Sequence, residues 1–206
     1  MKKIKLLIAD DHTMVRMGLV SLLETQADFE IVGEAEDGDS AVLEAVRRRP
    51  DIVLLDLMMP LKDGVAATAE IRKRAPEAKV VILTSSSSSD YIARAIEAGA
   101  AGAILKSADL TRLATTIRRI ADGETVISPE VQQIIDEDPP APRMTPRQED
   151  ILRSVMRGLT NADIALQFGI RESSVKEHVG DICQKLGAAN RAEAVTIALR
   201  KQLLKL

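Results

Sequence analysis

Asp10, Asp11, Asp56, Thr84 and Lys106 each stand at or just past the end of a short apolar run. Asp56 closes Ile52-Val53-Leu54-Leu55, Asp10 and Asp11 follow the stretch Ile4–Ala9, Thr84 ends a run from Val80, and Lys106 follows Gly102–Leu105. Three convergent carboxylates repel, so one takes up a proton unless a cation neutralises the group. Clustered oxygens with room for water suit Mg²⁺, which favours octahedral coordination and keeps part of its hydration shell. A carboxylate held against that ion is a nucleophile toward a phosphoryl group and would form an aspartyl phosphate. The metal and an ammonium would stabilise charge on the transferred oxygens. Lys106 fits the ammonium role, and Thr84 can donate a hydrogen bond to a phosphoryl oxygen. Taken singly, Asp56 reads as a turn cap and Lys106 as a solvated lysine. The five together favour the chemical reading.

Bringing these residues together requires parallel strands that end at one edge. The apolar runs show no polar alternation, which marks strands buried on both faces of a sheet. Strand candidates are Ile4–Ala9, Glu30–Ala35, Ile52–Asp56, Val80–Thr84 and Gly102–Leu105. Between them lie amphipathic segments, Thr13–Glu24, Ser40–Arg49, Gly64–Arg74, Asp90–Ala98 and Asp109–Asp122. In the first, Val15, Leu19, Leu22 and Leu23 recur at helical spacing. Five repeats of strand then helix predict a doubly wound, five-stranded parallel α/β domain over residues 1–122. Such sheets place ligand chemistry outside the carboxyl ends of their strands.

A break follows. Asp136-Glu137-Asp138-Pro139-Pro140-Ala141-Pro142 cannot continue a helix or strand, so residues 123–142 read as a linker. Residues 143–206 show only helical signals and predict a small all-α domain. Thr145-Pro146 opens its first helix, Asn161–Phe168 forms the second, Ser173 or Ser174 to Leu186 the third, and Asn190 opens the fourth, running to Leu206. Charge divides along the same boundaries. Residues 1–127 carry −3, residues 128–141 carry −4 and residues 142–206 carry +4. An acidic front and a basic tail point to two units with different partners. The single Cys183 excludes an intramolecular disulfide, and no stretch approaches the roughly 18 apolar residues of a membrane span, so a cytoplasmic location is expected. With no tryptophan and only Phe29, Tyr91 and Phe168 as aromatics, base stacking is not the expected mode of nucleic-acid binding.

Asp10-Asp11, the block Asp56-Leu57-Met58-Met59-Pro60 ending in Asp63-Gly64, Thr84, and Ala98-Gly99-Ala100 leading to Lys106 resemble bacterial receiver domains over residues 1–122. The resemblance implies Asp56 as the phosphoacceptor, charged by a sensor histidine kinase. It implies a metal held by Asp11, Asp56 and the backbone carbonyl of Met58, with Asp10 acting mainly through water. It also implies that Thr84 moves toward the phosphoryl group on activation. Two departures concern the switch. Ala103 stands where receivers usually carry an aromatic residue, and the loop Ser85–Ser89 is serine only. Output is therefore expected to run through that loop and the helix after it.

The second and third carboxy-terminal helices form a helix-turn-helix pattern. Val175, Val179, Ile182 and Leu186 fall on one inward face, leaving Lys176, Glu177, Gly180 and Gln184 outward, where the helix would enter a major groove. Thr145-Pro146-Arg147-Gln148-Glu149, Gly158-Leu159-Thr160-Asn161, Ile164-Ala165, Val175-Lys176-Glu177-His178-Val179 and Lys185-Leu186-Gly187 resemble the LuxR-type output domain. A receiver joined to that domain is the NarL/FixJ family of response regulators. The likeness implies double-stranded DNA as ligand and a homodimer on activation, paired on DNA through the last helix. Candidate DNA-facing residues are Asn161, Ser173, Ser174, Lys176, Glu177, His178, Gly180 and Lys185. His178 reads equally as a phosphate contact or a helix residue bonded to backbone. Gly180 costs roughly 1 kcal/mol relative to alanine inside a helix. Glu177 and Asp181 oppose phosphate binding unless Glu177 reads a cytosine amino group. Those acids motivate a second reading, a signalling adaptor or phosphate sink whose output domain binds protein. A phosphatase would need an Asp-x-Asp pair, which Asp56-Leu57-Met58 lacks.

Overall fold

A computed structural model describes residues 3–85, 89–201 and 203. The chain divides into two compact units, the first running to Asp138 apart from Ser89 and Asp90, which group with the second.

The first unit alternates strands and helices: β1 (Ile4–Ala9), α1 (Thr13–Leu23), β2 (Phe29–Ala35), α2 (Gly38–Arg48), β3 (Ile52–Asp56), α3 (Gly64–Arg74), β4 (Lys79–Thr84), α4 (Ser89–Glu97), β5 (Gly102–Leu105) and α5 (Leu110–Ala121). A short β6 (Val126–Ile127) and α6 (Pro129–Glu137) follow. All pairings are parallel, and the sheet order is β2-β1-β3-β4-β5-β6. Among the described residues the sheet thus has six strands where five were expected. The additional one is two residues long and pairs Val126 with Gly102 and Ile127 with Ala103.

Both faces are covered, as the unbroken apolar strands require. Leu6, Ile8, Ile52, Leu54, Val81 and Leu83 point to one side and pack with Leu113, Ile117 and Ile120 of α5 and Leu23 of α1. Leu7, Ala9, Val53, Leu55, Val80 and Ile82 point to the other, against α2, α3 and α4. Val131, Ile134 and Ile135 of α6 join that second layer. Residues 123–142, read as linker, therefore hold a strand and a helix, and Ser128 caps α6 by accepting from Val131 N–H. α1 also differs from expectation. Only Leu23 of its stripe is fully buried, while Val15 is 37% and Leu22 48% exposed, beside Met14 and Met17.

The second unit holds α7 (Pro146–Met156), α8 (Asn161–Phe168), α9 (Glu172–Leu186) and α10 (Arg191–Arg200) around Ile151, Leu152, Ile164, Val175, Ile182 and Ala198. Thr145 and Thr160 form capping boxes with Gln148 and Asp163, and Gly169 and Gly187 close α8 and α9 in left-handed conformation. α9 begins at Glu172, one residue before the expected serines, and its N-cap Arg171 makes no side-chain cap bond. The last helix was expected to reach Leu206; α10 ends at Arg200, with residues 202 and 204–206 outside the described part.

Candidate functional site

β1 and β3 are neighbours whose helices depart to opposite faces, so the gap beyond their carboxyl ends is the topological switch point of the sheet. Asp10 follows β1 there, and Asp56 is the last residue of β3. Asp10 and Asp56 are buried, and Asp11 is partly exposed. Lys106, one residue past β5, reaches both: its Nζ lies 2.7 Å from Asp10 Oδ2 and 2.9 Å from Asp56 Oδ2. Its backbone N–H donates to Thr84 O at 2.9 Å, which fixes the start of that reach. Thr84 ends β4 and is 1% exposed. The strand ends therefore bring the side chains of Asp10, Asp11, Asp56 and Lys106 together, and Thr84 joins them through its backbone bond to Lys106. Of the serine loop, residues 86–88 lie outside the described part, Ser85 is exposed, and Ser89 is buried at the start of α4.

Burial raises the Asp56 carboxyl above its ordinary range, and Asp10 adds to this, while the Lys106 ammonium and the Met58 backbone oppose it. Lys106 itself is desolvated, but its two carboxylate partners outweigh that and hold its ammonium charged. The charge of Asp56 thus depends on the cations beside it.

Asp10, Asp11, His12 and Asp56 offer ligand atoms within 4.8 Å of one another. Three carboxylates are hard oxygen donors of the kind Mg²⁺ takes, so the residues fit that ion. The histidine is the odd donor. His12 Nδ1 lies 2.8 Å from Asp11 Oδ1, and its side chain is 68% exposed. His12 and Arg16 were not singled out from sequence. His12 N–H donates to Asp10 Oδ1 at 2.9 Å, and Arg16 donates to the Asp10 carbonyl at 2.7 Å and to Glu34 at 3.2 Å. Only their nearness in sequence to Asp10 and Asp11 could have signalled this.

The loop after Asp56 is tightly built. Lys62 N–H donates to Pro60 O at 2.7 Å across Leu61, whose φ of 64° is the left-handed region. Lys62 Nζ pairs with Asp39 at 2.6 Å and with Glu70. Gly64 N–H donates to Leu57 O at 2.9 Å, and a side-chain carbon on Gly64 would collide with the Asp56 carbonyl. Asp63 caps α3 by accepting from Ala66 N–H at 2.8 Å, and Tyr91 of α4 donates to its other oxygen at 3.2 Å.

In the second unit, Ser173, Lys176, Glu177 and Gly180 are exposed along α9, and Val175, Ile182 and Leu186 are buried behind them. Ser174, His178, Asn161 and Lys185 are half-buried. Two of the candidates are engaged within the unit. Lys185 Nζ donates to Arg143 O and Gln148 Oε1, both at 2.9 Å, and Asn161 Oδ1 accepts from Arg191 at 3.4 Å.

A doubly wound sheet with an acidic cluster and a lysine at its switch point, carried in one chain with a helix-turn-helix unit, defines a two-domain response regulator. Comparison with known proteins specifies it. Residues 6–118 match the response regulator receiver domain, and residues 142–198 match the bacterial regulatory proteins of the luxR family. The chain is 38% identical over 207 residues to the response regulator protein VraR of Staphylococcus epidermidis, covering 98% of this chain and 99% of that one. It is 37% identical to VraR of Staphylococcus aureus over the same span. Among solved structures it resembles response regulator ChrA of a heme-sensing two-component system, with TM-score 0.60 and 33% identity over 99% of this chain and 100% of that one. The RcsB–DNA complex shares the fold, with TM-score 0.71 at 21% identity over 97% and 99% of the two chains. The chain belongs to the LuxR-type, NarL/FixJ family of two-component response regulators. No helix among the described residues is long and apolar enough to cross a membrane.

Proposed function

We propose that Asp56 accepts a phosphoryl group from a sensor histidine kinase, and that the phosphorylated chain pairs and binds promoter DNA to regulate transcription. The observation that carries this is Lys106 bridging Asp10 and Asp56 at 2.7 and 2.9 Å within a buried carboxylate cluster. In the transfer, an Asp56 carboxylate oxygen forms the bond to phosphorus as the bond to the donor's imidazole nitrogen breaks, and the freed imidazole takes up a proton. Asp11, Asp56 and the Met58 carbonyl would hold Mg²⁺, with Asp10 acting through water. When bound, that ion supplies charge neutralisation between the carboxylates and the phosphoryl oxygens. Lys106 pairs with the added charge, and Thr84 donates its hydroxyl to a phosphoryl oxygen.

The exposed stripe Ser173, Lys176, Glu177 and Gly180 supports a DNA-facing α9, with Lys176 and His178 as phosphate contacts. Apolar exposure at Met14, Met17 and Leu22 supports a receiver dimer through α1. Incubation with a phosphorylated kinase or acetyl phosphate should label the wild-type chain and leave Asp56→Asn unlabelled. A label retained by Asp56→Asn would refute the assignment. The adaptor reading draws on Glu177 and Asp181, both exposed on α9. It predicts no specific complex in a gel shift with promoter DNA at any phosphorylation state.

A further inference from the structure

We propose that Tyr91, the chain's only tyrosine, is the positioning residue that couples the Asp56 site to α4, acting through Asp63. The proposal rests on Asp56 being the phosphoacceptor.

Tyr91 lies in the first turns of α4 and is 3% exposed. A buried phenol needs a partner for its hydroxyl. Tyr91 Oη donates to Asp63 Oδ2 at 3.2 Å, and the Arg94 guanidinium lies 5.5 Å from the ring centre. Asp63 is the N-cap of α3 and the residue before Gly64. Gly64 in turn sits against the Asp56 carbonyl and bonds Leu57 O, leaving no room for a side-chain carbon. A shift of the Asp56–Leu57 backbone therefore reaches Asp63 without slack, because close-packed groups move together. Phosphorylation adds charge and acceptor oxygens at the head of this chain of contacts.

The position where receivers usually carry a mobile aromatic is Ala103, which is fully buried in β5 and packed in the same apolar cluster as Tyr91. A methyl group cannot swing between an exposed and a buried rotamer. The aromatic in that cluster belongs to α4 itself, and its polar end is tied to the loop beyond Asp56. Signal from the site thus has a direct connection to α4 that needs no rotamer change on β5.

The chain has no tryptophan, so its tyrosine emission comes from Tyr91 alone. A phenol donating to a carboxylate emits weakly, so lengthening that bond raises the emission. The full chain is treated with Mg²⁺ and beryllofluoride, bound beryllofluoride is counted by fluorine NMR, and hydrogen exchange is followed at Ser89–Glu97. In the wild type, tyrosine emission and exchange at α4 both change on binding. Tyr91→Phe and Asp63→Ser still bind beryllofluoride, but the exchange response of α4 falls about tenfold, the scale of one hydrogen bond to a charged acceptor. Serine keeps the α3 cap while falling short of the phenol, so Asp63→Ser carries the test if Tyr91→Phe melts early. Bound beryllofluoride with unchanged tyrosine emission, or a wild-type α4 response in either variant, would overturn the coupling alone. No bound beryllofluoride would overturn the Asp56 reading and the coupling with it.

Discussion

Burial raises the Asp56 carboxyl, and an acid whose folded-state pKa lies above its unfolded value contributes stability below the unfolded pKa. That stability is lost as pH rises through the folded pKa. Asp56→Asn, neutral and of the same shape, should therefore raise the receiver's melting midpoint near neutral pH in a chelator. The gain should shrink toward acid pH and on adding Mg²⁺; calorimetry at several pH values checks this. Gly64→Ala tests the neighbouring backbone. Its methyl has no space beside the Asp56 carbonyl, so it should cost about 1–3 kcal/mol in a denaturant melt, as overpacking does. Asp56, Asp10 and Lys106 were legible because each ends an apolar run, and a run's end is visible in one dimension. The bond between Tyr91 and Asp63 was not, its partners being 28 residues apart on elements whose approach only the fold decides. His12 and Arg16 were hidden differently: nothing in their spacing separates a residue serving Asp10 from an ordinary first turn of a helix.

Between elements, Arg118 of α5 fastens the turn before β2, bonding both oxygens of Asp28 at 2.7 and 2.9 Å and Gln26 at 3.0 Å. The Arg118 hydrogen bond holds Asp28 below the usual carboxylate range. A depressed acid stabilises the fold above its unfolded pKa, and the effect fades as pH falls through the folded value, below about 4. Both side chains are about a third exposed, so Asp28→Asn should cost about 0.5–1 kcal/mol at neutral pH and nothing in acid. Gly180 gives an opposite sign. It is exposed within α9 with open space around it, so Gly180→Ala should stabilise the second unit by about 0.5–1 kcal/mol. Weaker DNA binding by that more stable variant would show close backbone approach at this turn. Elements with strong periodicity were read from sequence nearly to the residue. α6 was not, although Ser128-Pro129 with Val131, Ile134 and Ile135 is an ordinary helix opening. The acid–proline run just beyond it dominated the segment. α9 was placed one residue late because Arg171 gives no capping signal.

At the scale of the whole chain, an acidic receiver and a basic output unit share one polypeptide, and α9 carries its two lysines beside three acids, Glu172, Glu177 and Asp181. Phosphate contacts set the salt dependence of DNA binding, at about −0.9 in the log–log slope per phosphate neutralised. A dimer presents Lys176 twice. Lys176→Ala should then flatten the slope by about 2 while leaving the melting midpoint near wild type, since that side chain is exposed. Lys185→Ala should do the reverse. Its ammonium ties Arg143 O and Gln148 Oε1 within the unit, so its loss should lower the midpoint, at a cost of about 1.5–3 kcal/mol for bonds from a charged donor, with little change in slope. Glu177 separates the remaining alternatives. If it only repels phosphate, Glu177→Gln tightens binding to every sequence alike. If it accepts from a cytosine amino group, the same change weakens the cognate site by about 1–3 kcal/mol and relaxes choice at one base pair. An output unit built for protein would show neither pattern, because with no phosphates to neutralise neither Lys176 nor Glu177 would alter a salt slope.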